Sequence, residues 1–94
     1  MDKFLFFKEG TEANASVNVK FLNSIYTQGG TADTVFIDLE GSDTIDLVRL
    51  TVTDGNAGNV VSEIAEWCTS SSDRVLDVLA LSRVSSIDLD GGSD

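Results

Sequence analysis

From Lys3 to Lys8 the chain reads as an apolar run bracketed by charge, with Phe4, Leu5, Phe6 and Phe7 at its centre. The run is aromatic and too short for a helix, so it predicts a strand, ended by Gly10. A strand alternates its side chains, which puts Phe4 and Phe6 on one face and Leu5 and Phe7 on the other. One face can meet a core. The other needs a cover, and a second copy of the chain would supply it. Residues 17–27 also alternate, through Val17, Val19, Phe21 and then Ile25. Leu22 breaks the alternation, which predicts a bend or bulge near Leu22-Asn23.

Gln28-Gly29-Gly30-Thr31 is a turn. Residues 34–40 then alternate cleanly, with Val35, Ile37 and Leu39 inward and Asp38 and Glu40 outward. Glu40-Gly41-Ser42-Asp43 leads tightly into residues 44–53. There Ile45 and Leu47 hold one parity and Val48, Leu50 and Val52 the other, a switch that needs a bulge or a change of environment. After the Asp54-Gly55-Asn56 turn, Asn56 or Asn59 can cap a helix. Val60, Ile64 and Trp67, with Val61, Ala65 and Cys68 beside them, give one amphipathic helix to about Thr69. Residues 74–81 return to strand chemistry, and a last strand spans Val84 to Leu89. Residues 90–94 read as a frayed tail.

Four segments share an aliphatic-Asp-aliphatic spacing: Ile37-Asp38-Leu39, Ile45-Asp46-Leu47, Leu76-Asp77-Val78 and Ile87-Asp88-Leu89. Asp is a poor strand former and persists best on a solvated face. The pattern therefore predicts a sheet with one buried and one acidic, wet face. The elements together predict one domain over residues 1–94, mainly β with one helix. It is a small, strongly bent antiparallel sheet or a barrel, since closing the sheet would remove its edges.

Composition narrows the chemistry. The 94 residues include 6 Lys+Arg and 16 Asp+Glu, a formal net charge of −10, with one Cys and neither His nor Pro. His-based acid/base catalysis, Ser-His or Cys-His nucleophiles, His-ligated zinc and an internal disulfide are all excluded. Cys68 on the apolar side of the helix reads as a small core residue. The carboxylates of Asp38, Glu40, Asp43 and Asp46 gather around one hairpin, a pattern that usually marks a solvent face. No metal or cofactor is expected, and the chain reads as non-enzymatic. The N-terminus does not read as a secretion signal, and no stretch approaches the ~20 apolar residues of a membrane span. A cytoplasmic location and no membrane partner are the expectation.

The negative charge repels nucleic acid at long range. Local contacts are still available. Tyr26 sits at a strand end beside a Gly-Gly turn, where it could stack on a base. Lys20, Arg74 and Arg83 are the candidate phosphate contacts. Phe4, Leu5, Phe6 and Phe7 are the candidate oligomer interface, since a free first strand would pair with a neighbouring copy until a ring satisfied every edge.

Three segments carry a family resemblance. They are Met1-Asp2-Lys3-Phe4-Leu5-Phe6-Phe7, then Val48-Arg49-Leu50-Thr51-Val52-Thr53-Asp54-Gly55 leading into Glu63-Ile64-Ala65-Glu66, and Val84-Ser85-Ser86-Ile87. The chain resembles a group of short Sm-like proteins from marine cyanophages and ocean metagenomes. The resemblance implies a bent five-stranded barrel assembling into homo-oligomeric rings, of phage origin, with RNA or DNA as candidate ligands. Sm proteins at large carry an Asp-x-aliphatic-Met-Asn motif and a later Arg-Gly pair. Both are missing here, so no base-binding residue carries over by position. Their N-terminal helix is also missing, while a helix comes late in this chain. The alternative is a structural phage accessory protein, of capsid or tail, that binds no nucleic acid.

Overall fold

The computed structural model describes residues 3–9, 13–27, 33–40, 45–53, 55–70 and 73–89. Gly10, the Gln28–Thr31 turn, Gly41 to Asp43, Asp54 and the 90–94 tail lie outside the described residues. The strands are β1 (Phe4–Glu9), β2 (Ala13–Asn18), β3 (Leu22–Tyr26), β4 (Thr34–Leu39), β5 (Leu47–Val52), β6 (Val75–Asp77) and β7 (Val84–Asp88). The helix α1 spans Ala57–Ser70. A three-stranded sheet has the order β2-β1-β6 and a four-stranded sheet the order β3-β4-β5-β7.

The fold is thus mainly β with one helix, as the patterning predicts, but it is not closed into a barrel. Two 3-10 turns, Val19–Phe21 and Val78–Ala80, carry the chain from one sheet to the other. They interrupt the ladders that a closed barrel would need to be continuous. The sheet is not wholly antiparallel either, because β6 joins β1 in parallel. The expected strand over residues 74–81 is correspondingly short. It stops at Asp77, and Val78 turns into the core instead.

β1 is the middle strand of its sheet, not an edge. Leu5 pairs with Val17 and Leu76, Phe7 pairs with Ala15, and both Leu5 and Phe7 are wholly buried. An interface built on all of Phe4 to Phe7 is corrected accordingly. Leu5 and Phe7 belong to the core, and only Phe4 and Phe6 sit on the outer parity, half-buried. Val75, 56% exposed, and Asp77 share that parity through their pairing with Phe4 and Phe6.

The bend expected near Leu22-Asn23 is present. A 3-10 turn precedes Leu22, and the β3–β4 register shifts between Leu22 and Ser24. In β5 the parity switch has a simpler cause than a bulge. Ile45 precedes the strand and is buried on its own account. From Leu47 onward Val48, Leu50 and Val52 point inward in strict alternation. The helix starts at Ala57, two residues before Asn59. Gly55 takes a φ of +82° to turn the chain into it, a conformation that costs a residue with a side chain. Ala57, Val60 and Ile64 then recur at helical spacing and are buried. They pack in one core with Val35, Ile37, Leu50 and Phe7. Among the described residues no polar or charged residue is buried.

Candidate functional site

The face of the four-stranded sheet opposite the core is set by parity. Val35, Ile37 and Leu39 point inward, so Thr34, Phe36 and Asp38 point outward. The ladder then fixes the neighbours of Phe36. It is opposite Tyr26 on β3 and opposite Arg49 on β5, and Arg49 is opposite Asp88 on β7. A single row, Tyr26–Phe36–Arg49–Asp88, therefore crosses the whole sheet.

Direct contacts join the row as two pairs, and register alone sets Phe36 beside Arg49. The Tyr26 and Phe36 rings stack with centroids 5.4 Å apart and planes 19° from parallel. The Arg49 Nη2 donates to Asp88 Oδ2 at 2.9 Å, with the two side chains 46% and 36% exposed. Tyr26 is itself 37% exposed. On one side of the row Ser24 pairs with Asp38, and Asn23 Nδ2 donates to Asp38 Oδ2 at 2.9 Å. On the other side Thr34, Thr51 and Ser86 continue the same parity with short hydroxyl side chains. Apart from Leu47, opposite Asp38, short neighbours leave the stacked aromatic pair as the relief on this face. Such a surface offers a π-face to a planar group and a guanidinium beside it.

The four sequence candidates do not converge. Tyr26 belongs to the row. Lys20 lies in the 3-10 turn after β2, with its ammonium 5.2 Å from the Phe21 ring centroid. Arg74 precedes β6, where its carbonyl accepts from the Phe4 amide at 2.7 Å. Lys20 and Arg74 therefore flank the start of β1 on the other sheet. Arg83 precedes β7, 3.7 Å from Glu63 of the helix, and its carbonyl accepts from the Thr53 amide. Sequence reasoning missed Phe36 and Arg49. The signal for Phe36 was available, as an aromatic on the outward parity of a cleanly alternating strand. Arg49 needed the β5–β7 register to be recognised.

Cys68 is half-buried on α1, and burial pushes its thiol up. Nearby Lys3 opposes this by a smaller amount. The result is a thiol held neutral, not an activated nucleophile. Asp38, Glu40 and Asp46 do not form a ligand set: among the described residues no group of three or more Cys, Asp or Glu side chains is placed to hold a metal ion. Asp43 lies outside the described residues. Among the described residues no helix is long and apolar enough to cross a membrane.

Compared with protein-family models, curated proteins and solved structures, the chain matches none of them.

Proposed function

We propose that this chain is a non-enzymatic, Sm-like protein that associates with copies of itself in a ring and lays single-stranded RNA or DNA across the open face of its four-stranded sheet. The observation that carries the reading is the Tyr26–Phe36 stack with Arg49 next to it in one cross-strand row. Stacking on aromatic side chains tolerates any base, because every base has a π-face. Self-association is supported by Phe4, Phe6 and Val75, three apolar side chains on the outer parity of one small sheet. The Sm-like assignment is supported by the resemblance of the three segments and by two strongly bent passages, in which the 3-10 turns carry β2 into β3 and β6 into β7 and so link the two sheets without closing them.

The net charge of −10 decides what kind of binding this is. Arg49 is the only cation in the row, so counterion release contributes little and stacking supplies the affinity. The dependence on salt is then shallow, with a log–log slope no steeper than about −1. Fluorescence anisotropy with short RNA and DNA strands at low and moderate salt tests this. Saturable binding in the micromolar range with a shallow slope is expected, and no binding in that range would remove the reading. Native mass spectrometry tests assembly, and a monomer at micromolar concentration would remove that half.

The second reading is a structural phage accessory protein that binds no nucleic acid. It is favoured by the dispersal of Lys20, Arg74 and Arg83, which gives no track for a phosphate backbone. Oligomers that leave every oligonucleotide unbound, together with recovery of the chain from purified virions, are the results this reading requires.

A further inference from the structure

The four-stranded sheet ends in β3, which has β4 on one side and, among the described residues, no strand on the other. Next to that free edge lies a groove of about 320 Å³ between β3 and α1. Residues 22–25 line it from the strand, and Val61, Ala65, Cys68 and Thr69 from the helix. An edge strand presents main-chain N–H and C=O groups in a row, ready to pair with an extended segment. A segment added there would alternate its side chains like any strand. One set would enter the groove against Val61, Ala65 and Cys68. The other set would stand on the open face, beside Ser24 and Tyr26.

The surroundings say what the two sets should be. The groove is lined mainly by apolar side chains, with Asn23, Ser24 and Thr69 as its polar members. On the open face the neighbours are the exposed Tyr26 ring and, one strand further in, the Asp38 carboxylate opposite Ser24. The helix carries an exposed Glu66, and Glu63 already 3.7 Å from Arg83, with Lys3 at its C-terminal end, while the whole chain carries −10. An aromatic face and a carboxylate both favour a cation. We propose that the β3–α1 groove binds an extended basic segment of a partner protein, with aliphatic and Lys or Arg residues alternating, added as a further strand of the sheet. The proposal shares Tyr26 with the nucleic-acid reading but does not rest on it, because the groove and the β3 edge lie outside the stacked pair.

The test uses the full chain and a labelled peptide of about eight residues alternating Val and Lys. A peptide alternating Val and Glu serves as one control. A peptide of the same Val and Lys content with all the Lys residues together serves as the other. The alternating basic peptide should bind saturably and shift the amide resonances of Leu22 to Ile25 and of Val61 to Thr69. Ala65→Arg should weaken it at least about tenfold, since the new side chain fills the groove and repels the ligand. Ala65 is exposed on a helix and Arg is a good helix former, so this variant keeps the fold. Equal binding of the Lys-clustered peptide, or an Ala65→Arg variant that binds undiminished, would overturn the proposal. So would self-association that Ala65→Arg disperses while no peptide binds, because a second copy would then be the occupant. Oligonucleotide titrations of the same variant separate the two readings, since base stacking does not depend on Ala65.

Discussion

The ammonium of Lys3 lies 5.0 Å from the centroid of the Trp67 ring and donates to the main-chain oxygens of Trp67 and Cys68 at 3.0 and 3.3 Å. The last turn of α1 contains no basic residue of its own. The positive charge that a helix C-terminus attracts is therefore supplied from 64 residues away. The residue just before β1 is tied in this way to the end of the helix. Lys3→Met keeps an apolar stem but removes the charge, the two hydrogen bonds and the cation–π contact. A loss of about 1–2 kcal/mol is expected in urea unfolding, since each of these terms is individually modest. Lys3→Arg should recover most of it.

The same ammonium acts on Cys68. Burial raises the thiol pKa and Lys3 lowers it by less, so the folded chain holds the thiol proton more tightly than the unfolded one. A raised pKa contributes stability that is complete below the unfolded thiol value of about 8.5 and is lost as pH rises through the folded value. The stability difference between the natural chain and Cys68→Ser should therefore shift against Cys68 across that alkaline window. Iodoacetamide labelling of the folded protein should show its midpoint above that of a free thiol. Lys3→Met should move the midpoint further up, and a downward shift would contradict the placement of the ammonium.

Tyr26 and Phe36 stack on an exposed face, so their removal should affect binding more than folding. Tyr26→Ala and Phe36→Ala should each weaken oligonucleotide binding by about tenfold, within the range of one lost base stack. The stacking pair itself is worth only about 0.5–1.5 kcal/mol beyond its area burial. Tyr26→Phe keeps the ring and should bind as the natural chain does. Anisotropy titration alongside thermal unfolding separates the two effects.

Arg49 and Asp88 form an exposed pair, and such pairs contribute about 0.2–1 kcal/mol, screened by salt. A double-mutant cycle with Arg49→Gln and Asp88→Asn should give a coupling energy in that range at low salt and almost none at high salt. The two single variants should differ in binding. Asp88→Asn frees the guanidinium and removes a negative charge from the row, so oligonucleotide affinity should rise. Arg49→Gln should lower it.

The inward face of β4 was legible from Val35, Ile37 and Leu39, because alternation alone decides it. The helical stripe of Val60 and Ile64 was legible from its spacing of four residues. The bend after Phe21 also showed, as a broken alternation at Leu22. What failed to show was set by partners far along the chain. Ala13 to Ser16 have weak strand propensity and become a strand by pairing with β1. The parallel β1–β6 pairing has no local signature, and without it β1 reads as a free edge. Of the row, Phe36 was placed on the outward face by alternation, but its neighbours were not. Tyr26 and Asp88 stood out as residue types, whereas Phe36 and Arg49 join them through register.

Phe6 and Phe7 are adjacent in sequence and opposite in consequence. Phe7 is wholly buried in the common core, packed in the same cluster as Val17, Leu50 and Ile64. Phe7→Ala should cost about 3–5 kcal/mol, the transfer of the ring plus the cavity it leaves. For a domain this small that is a large part of the total stability. Phe6 lies on the outer parity with Val75 and Phe4, half-buried. Phe6→Ser should cost the isolated chain much less than Phe7→Ala, about 1 kcal/mol for the part of the ring already covered. If this face joins copies of the chain, the same substitution shifts native mass spectra from oligomer to monomer. Equal destabilisation by the two substitutions would mean that the outer aromatics serve the chain's own core, and the case for assembly through this face would fail with it.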